Sequence, residues 1–258
     1  MDRRAFNAAL AAASVLGLVA PTAARAQGAP ARPRIGMLVY SDMILLDLAG
    51  PLTAFNIMQA DIQLIARSSQ AVMTDVGLPV TPTANFETTA KDLDVLFVPG
   101  GLKGTIAAMK DTQTVDFVRE QGRAARYVTS VCTGSLLLGA AGLLKGYQAT
   151  SHWYVRDLLA HMGAVVRKDR VVEDRNRLTA GGVTAGIDLA LTIAERVAGD
   201  ELARRMQLLI EYDPRPPFDS GSPEHAGLKI TEAVLARRSD LIREAETAAK
   251  AAGASMNL

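Results

Sequence analysis

The chain has 258 residues, of which 49% are hydrophobic and 21% are charged, a composition typical of a globular protein and too apolar for a disordered one. Lys and Arg (28) nearly balance Asp and Glu (27), and no basic stripe with interleaved aromatic residues is present, so we expect no nucleic-acid partner. Three His and a single Cys provide no set of ligands for a zinc site, so we expect no metal.

Residues 1–26 have the organisation of a cleaved signal peptide. Arg3 and Arg4 precede an apolar run, and Ala24-Arg25-Ala26 ends that run as an A-x-A-like cleavage site. The paired arginines resemble the twin-arginine type of signal. A retained membrane anchor is the alternative, but the run is shorter than the ~20 residues that cross a bilayer. We expect a periplasmic protein with no stable membrane association after the leader is removed.

From Arg34 onward, short apolar runs alternate with helix-like segments. This alternation predicts βαβ units around a mainly parallel sheet. The predicted strands cover residues 34–40, 61–66, 94–98 and 126–131, with a β excursion at the sheet edge around Gly77, Pro79 and Pro82 and further β structure over 170–180 that turns at Asp174-Arg175-Asn176.

Between these strands the sequence predicts seven helices. They cover residues 51–59, with Pro51 in the first turn, and then 112–125, 134–144, 153–162, 184–198, 200–211 and 229–250. The Pro-rich segment from Pro214 to Pro223 separates the last helix from the others. We therefore divide the chain into a domain over residues 34–228 and a C-terminal helix and tail over 229–258, which we interpret as a surface or dimer element.

Three distinctive segments follow predicted strands. Asp47 lies in the loop after the first strand, Gly100-Gly101 follows the 94–98 strand, and Cys132 follows the 126–131 strand. In open parallel sheets, sites form outside the carboxyl ends of the strands, where such loops meet. The sequence therefore predicts one site containing all three segments.

Cys132 lies where a strand runs directly into a helix, in Ser130-Val131-Cys132-Thr133-Gly134-Ser135. This arrangement predicts a nucleophile elbow, in which a tight turn lifts the reactive atom above the sheet. The following helix N-terminus favours a thiolate and a lowered pKa. The alternative is that Cys132 is a small core residue. A single cysteine forms no internal disulfide, so Cys132 is expected to be free.

Several motifs together carry a resemblance to a known family: LLDLAGP at 45–51, VPGG at 98–101, YVTSVCTG at 127–134, TSHW at 150–153, GVTAGID at 182–188, and Glu211-Tyr212 through Pro217-Phe218. They resemble the isonitrile hydratases, a branch of the DJ-1/PfpI superfamily. The resemblance covers nearly the whole chain apart from the leader and the last helix. It implies a flavodoxin-like three-layer sandwich, usually a homodimer, that needs no cofactor and adds water to R–N≡C to give an N-substituted formamide.

The resemblance also implies catalytic roles for Cys132 and Asp47. Cys132 attacks the isonitrile carbon to give a thioimidate, which water then resolves. Asp47 protonates the imidate and guides the water as a general acid and base. We expect a raised pKa for Asp47, because it is partly buried and neighbours a second acidic group. A helix-capping role for Asp47 fits poorly, because it lies upstream of the helix predicted from residue 51.

Other residues receive weaker assignments. Thr133 matches the catalytic set, with its hydroxyl and N–H suited to hold the substrate nitrogen or water, and a structural threonine at a helix start is the alternative. Gly100 and Gly101 are expected to offer backbone N–H groups to a developing anion, and Gly182 is grouped with them for substrate binding, while tight turns alone also explain such glycines. We interpret His152 as structural.

Two departures from the wider superfamily point away from proteolysis: Asp47 stands where many members have Glu, and Thr133 stands where the proteases have His. A related enzyme that acts on aldehydes or amides, or a periplasmic ligand-binding or redox-sensing protein, remains an alternative. A ligand-sensing regulator would need a DNA-binding part, and the sequence after residue 212 shows only a Pro-rich turn and one charged helix.

Overall fold

The computed structural model describes residues 32–258, and the predicted signal peptide lies outside them. Arg32–Leu258 form one compact unit. The strands are β1 (Arg34–Leu38), β2 (Asp61–Ala66), β3 (Val72–Met73), β4 (Pro79–Val80), β5 (Ala84–Asn85), β6 (Val95–Val98), β7 (Tyr127–Val131), β8 (Gln148–Ala149), β9 (Val165–Val166), β10 (Val171–Asp174) and β11 (Arg177–Ala180).

The helices connect these strands in alternation along most of the chain. They are α1 (Leu45–Ile57), α2 (Leu102–Lys110), α3 (Thr112–Ala124), α4 (Gly134–Ala140), a 3-10 helix (Arg156–Met162), α5 (Ala185–Ala198), α6 (Asp200–Leu209), α7 (Pro223–Ala226) and α8 (Leu228–Ser255). Within residues 32–258, none combines the length and the apolar content that a membrane-spanning helix needs.

Seven strands form the central sheet in the order β10-β11-β7-β6-β1-β2-β5. All neighbours are parallel except β10 and β11, which form an antiparallel hairpin. The four residues of β6 are fully buried, as expected for a central strand covered on both faces. The predicted mainly parallel α/β sheet is therefore confirmed.

Helices cover both faces of the sheet and enclose two separate apolar cores. On one face α1, α5 and α6 pack around large side chains such as Phe55 and Phe97. On the other face α2, α3, α4 and α8 pack around residues such as Leu136 and Leu138. These layers form the predicted three-layer sandwich.

The C-terminal helix α8 packs on this second face through its last turns. Ala245, Ala249 and Gly253 are buried there, against the 3-10 helix and α2. Gly253 is required by this packing, since a Cβ atom at that position would lie 2.0 Å from the carbonyl oxygen of His161. The first half of α8 is mostly exposed.

Four helical segments differ from the prediction. α1 begins at Leu45 instead of residue 51, so Pro51 lies inside the helix. α2 was not predicted, because Gly101 and Gly104 gave its first turn the composition of a loop; a Cβ at Gly104 would lie 2.2 Å from the Ser41 carbonyl oxygen. The helix predicted over 134–144 ends at Ala140, and the segment predicted over 153–162 is a 3-10 helix.

Candidate active site

Cys132 lies at the end of β7 with a backbone φ of +57°, a strained value for a residue other than glycine. Hydrogen bonds hold this conformation from both sides. The Cys132 N–H donates to the carbonyl oxygens of Gly181 (2.7 Å) and Ala180 (3.1 Å), while its own carbonyl oxygen accepts from the Ser151 hydroxyl (3.0 Å) and the His152 N–H (3.2 Å). The chain then enters α4 directly, which is the predicted nucleophile elbow.

The pKa of the Cys132 thiol is raised well above its ordinary value, mainly because the group is buried and secondarily because the Asp47 carboxylate is close. Backbone N–H groups of Thr133 and Val183 point at the sulfur and lower the pKa in part. The expectation of a lowered pKa was therefore wrong. The favourable helix end was recognised from the sequence, but the loss of water around the sulfur outweighs it.

Asp47 is fully buried in the first turn of α1, and not in a loop as the sequence had indicated. Its Oδ2 accepts a hydrogen bond from the Gly100 N–H at 2.9 Å, and its Oδ1 has no hydrogen-bond partner among residues 32–258. Burial raises its pKa to about 7, against the opposing effects of Gly100 and Cys132. The predicted raised pKa of Asp47 is confirmed.

Gly100 allows the acid and the thiol to come together. A Cβ atom at this position would lie 2.5 Å from the Thr133 nitrogen, 2.8 Å from Cβ of Cys132 and 2.9 Å from Oδ2 of Asp47. No side chain fits there. The loop after β6 therefore passes between the residues that follow β1 and β7, and it holds the carboxyl group against the nucleophile.

A chain of hydroxyl groups runs beneath the site. The Gly101 N–H donates to Thr133 Oγ1 (2.9 Å), and Thr133 Oγ1 lies 2.7 Å from Thr105 Oγ1. Thr105 Oγ1 in turn lies 3.1 Å from the hydroxyl oxygen of Tyr40. The Tyr40 hydroxyl donates to the carbonyl oxygen of Pro99 (2.5 Å). The Pro99 carbonyl oxygen only accepts, so it takes the single hydrogen of Tyr40, and each threonine hydroxyl must then donate its own hydrogen toward Tyr40. Thr133 donates to Thr105, and Thr105 donates to Tyr40.

This direction changes three of the predicted assignments. The hydrogen of the Thr133 hydroxyl is already donated to Thr105, so this group is not the expected donor to the substrate. The N–H groups of Gly100 and Gly101 are also engaged, with Asp47 and Thr133, and they do not face a developing anion as expected. The donors at the sulfur are instead the N–H groups of Thr133 and Val183.

Gly182 and His152 pack against each other beside the elbow. A Cβ at Gly182 would lie 3.0 Å from Cδ2 of the His152 ring, and the ring stacks on Tyr154 with centroids 3.8 Å apart. Burial, followed by the charges of Arg238 and Arg156, lowers the pKa of His152 to about 4. The ring is therefore neutral, and its contact with Cys132 is through the backbone, which fits the structural interpretation.

A cavity of about 330 Å³ is lined by residues that contact the reactive pair, while Cys132 and Asp47 themselves lie buried behind them. It is lined by Ile44, whose carbonyl oxygen accepts from the Asp47 N–H, by Val183, and by Tyr154, whose pKa is raised by burial and then by Cys132. The sequence had not indicated Tyr154, Val183, Thr105 or Tyr40, because they become neighbours of the site only through the fold. Among residues 32–258, no group of three His, Cys, Asp or Glu side chains could hold a metal ion.

Comparison with known families decides the relationship. The model of the DJ-1/PfpI family matches residues 33–196. The chain belongs to the DJ-1/PfpI family. This confirms the resemblance drawn from the motifs around Asp47 and Cys132.

Individual relatives agree with this assignment. The chain is 45% identical over 226 residues to an isonitrile hydratase of Pseudomonas putida, covering 87% of this chain and 98% of that protein. The structure matches a THiJ/PfpI family protein from Pseudomonas syringae with a TM-score of 0.83 and 46% identity, covering 85% and 91% of the two chains. The HTH-type transcriptional regulator GbdR of Pseudomonas aeruginosa is 31% identical over 204 residues, which is 73% of this chain and 54% of the regulator.

Proposed function

We propose that this protein is an isonitrile hydratase, which adds water to R–N≡C and releases the N-substituted formamide. The observation that carries the proposal is the buried pair of Cys132 and Asp47, in which a carboxyl group with a pKa of about 7 lies against the nucleophilic thiol. The identity of 45% to the Pseudomonas putida isonitrile hydratase over nearly its full length supports it.

The first step adds the thiol to the isonitrile carbon. The Asp47 carboxylate takes the proton from the Cys132 thiol, the sulfur forms a bond to the terminal carbon, and Asp47 returns the proton to that same carbon. The product is a thioimidate, R–N=CH–S–Cys, which contains every atom of the substrate. An isonitrile carbon accepts both a nucleophile and a proton, so no leaving group is needed.

The second step adds water to the thioimidate. Asp47, again a carboxylate, removes a proton from water while the oxygen attacks the imidate carbon, and the proton passes to the nitrogen. The resulting R–NH–CH(OH)–S–Cys expels the sulfur, and the hydroxyl proton returns to it through Asp47. The formamide R–NH–CHO leaves, and the thiol and the carboxylate are regenerated.

The electrostatics of the site suit this sequence of proton transfers. Because the pKa of Asp47 is about 7, the carboxyl group both accepts and releases protons readily near neutral pH. The N–H groups of Thr133 and Val183 stabilise negative charge on the sulfur while it attacks and while it leaves, in surroundings where such hydrogen bonds are strengthened by the absence of water.

The experiment follows the formyl proton of the product by NMR after the purified protein is mixed with cyclohexyl isocyanide. Wild-type protein is expected to form N-cyclohexylformamide, and Cys132→Ala is expected to form none above the buffer rate. Asp116→Asn, at an exposed position on α3, is the matched control and should keep the wild-type rate. Turnover of a glyoxal-type aldehyde without turnover of any isonitrile would overturn the proposal.

We also propose, from residues 1–26, that the enzyme is exported to the periplasm by the twin-arginine route, and that it acts as a homodimer. N-terminal sequencing of the protein from a periplasmic fraction should start after Ala26, and a chain beginning at Met1 would contradict export with cleavage.

The proposed homodimer is tested by light scattering on the purified protein. The measured mass should be twice that of one chain, and a single-chain mass would contradict the dimer.

A further inference from the structure

The cavity beside the reactive pair has two chemically different ends. Its inner end is formed by Ile44 and Val183, which adjoin Asp47 and Cys132. Its outer end contains Arg238 on α8. The walls between the two ends are largely apolar and aromatic, and they include Trp153, Tyr154, Ile230 and Val234.

The outer end follows one face of α8. Ile230, Val234 and Arg238 are spaced four residues apart, so they lie one above another along the helix. With a rise of 1.5 Å per residue, this stripe is about 12 Å long. A ligand lying along it would therefore contact apolar side chains first and a guanidinium group last.

Two arginines lie near the cavity, and of these Arg156 has an acidic group, Glu224, within reach of its charge. Arg238 is exposed, forms no ion pair among the described residues, and shares its cavity with no acidic side chain. Arg156 lines a neighbouring cavity of about 430 Å³ that shares His152 and Val183 with the first, and its Nε is buried with no hydrogen-bond acceptor in residues 32–258.

The neighbouring cavity carries charges of both signs. Lys168 and Arg170 line it together with Asp169 and Glu224, and Arg170 is already paired with Asp188. The positive charges of Arg238 and Arg156 both lower the pKa of the His152 ring. The charged side chain that lines the first cavity is therefore Arg238, and no acidic side chain in that cavity neutralises it.

We propose that the substrate is an isonitrile whose R group is apolar next to the reactive carbon and carries a carboxylate at its far end, bound by Arg238 with support from Arg156. A guanidinium group binds a carboxylate through two parallel hydrogen bonds. The apolar wall excludes water from the part of the substrate between the two polar ends. This inference rests on the proposed isonitrile hydratase activity.

The test compares 6-isocyanohexanoate with its methyl ester, which has the same chain and no charge. Wild-type protein is expected to show a kcat/KM at least ~10-fold higher for the carboxylate, an effect on the order of one charge-assisted contact. Arg238→Gln should lower kcat/KM for the carboxylate toward the value for the ester and leave the ester unchanged. Arg237→Gln, the adjacent exposed arginine that does not line the cavity, is the control and should change neither value.

The other outcomes separate the carboxylate site from the hydratase activity. Equal kcat/KM for the two substrates with the wild-type protein, or an equal loss on both with Arg238→Gln, would overturn the carboxylate site while leaving the hydratase activity intact. Turnover of neither substrate nor cyclohexyl isocyanide would overturn the proposed function, and this inference with it.

Discussion

At Cys132 and Asp47, two acidic groups share one buried site, and burial disfavours the charged form of each. Above about pH 7 the free enzyme therefore holds one proton between them, on the thiol, because the pKa of Asp47 is about 7 and that of Cys132 is far higher. Such a pair titrates as a unit. The site thus contains a neutral nucleophile beside its own base, and the thiolate forms only when a substrate is in place to receive it.

This pair determines how activity should depend on pH. The reaction needs the Asp47 carboxylate, so kcat/KM is expected to rise with pH and to reach half of its maximum near pH 7. The plateau should extend to alkaline pH, because the pKa of Cys132 is raised. Asp47→Asn should lose at least ~100-fold in kcat/KM, as expected for a general acid and base. A rate that already reaches its plateau at pH 5 would contradict this account of Asp47.

The same group should make stability depend on pH. The folded-state pKa of about 7 lies above the ordinary 3.8, so between these values the folded protein binds the proton more tightly and loses stability as the pH rises. Over the full range between these two pKa values, the free energy of unfolding falls by about 4 kcal/mol. The melting temperature of Asp47→Asn relative to wild type should therefore rise by about 5 °C or more between pH 5 and pH 8. A difference that is constant with pH would show that Asp47 is not the titrating group.

The hydroxyl chain predicts that Thr133 and Thr105 act as one unit. Thr133→Val leaves the buried Gly101 N–H without an acceptor, which should lower the free energy of unfolding by about 1–3 kcal/mol. Thr105→Val should have a similar effect, and the double variant should cost less than the sum of the two. Thr133→Ser keeps the oxygen and should retain most of the activity. Additive costs measured by denaturant unfolding would contradict the shared chain.

Much of the site could be predicted from the sequence, because Cys132, Asp47 and Gly100 each follow a recognisable apolar strand. The direction of the hydrogen bonds could not be predicted. It depends on Thr105, which lies 28 residues from Thr133 along the chain, and on Tyr40, which lies 65 residues from Thr105. Packing brings these three hydroxyl groups together. The raised pKa of Cys132 was missed for a similar reason, since burial is a property of the whole fold.

Among the elements, α1 shows how a remote segment positions a catalytic group. The helix begins at Leu45 because the Leu45 N–H donates to Oδ1 of Asp75 at 2.9 Å, and Asp75 belongs to the turn between β3 and β4. This cap places Asp47 in the first turn. The sequence around Pro51 predicted a later start, because the capping acid lies 30 residues away.

Asp75 also contributes to the raised pKa of Asp47, after burial. Asp75→Asn keeps an oxygen for the Leu45 N–H but removes the negative charge. The rising limb of the pH profile should therefore move to lower pH, and the shift should be small because Asp75 is exposed to solvent. Asp116→Asn, which removes an exposed carboxylate that does not act on Asp47, should leave the limb in place. A shift to higher pH would contradict the proposed electrostatics.

The strands were predicted more closely than the helices. β2 coincides with the predicted range, and β1, β6 and β7 lie within two residues of it, because buried parallel strands have continuous apolar runs bounded by Gly and Pro. The missed α2 depends on glycines that are needed for close packing, and local sequence does not distinguish such glycines from those of a loop.

In the whole molecule, the site lies where the order of the strands reverses. From β1 the chain continues to β2 on one side and later to β6 on the other, and such a crevice outside the carboxyl ends is where open α/β sheets bind ligands. Asp47, Gly100 and Cys132 follow the adjacent strands β1, β6 and β7. The residues at 220–223 and the first half of α8 also line the cavity.

The most direct measurement is the mass of the Cys132-containing peptide after an acid quench during turnover of an isonitrile. The account predicts an increase equal to the mass of the whole isonitrile, because sulfur and hydrogen add to one carbon and nothing leaves. It also predicts no formamide from Cys132→Ala. An unmodified peptide at every quench time, together with formamide production by Cys132→Ala at the wild-type rate, would contradict the account.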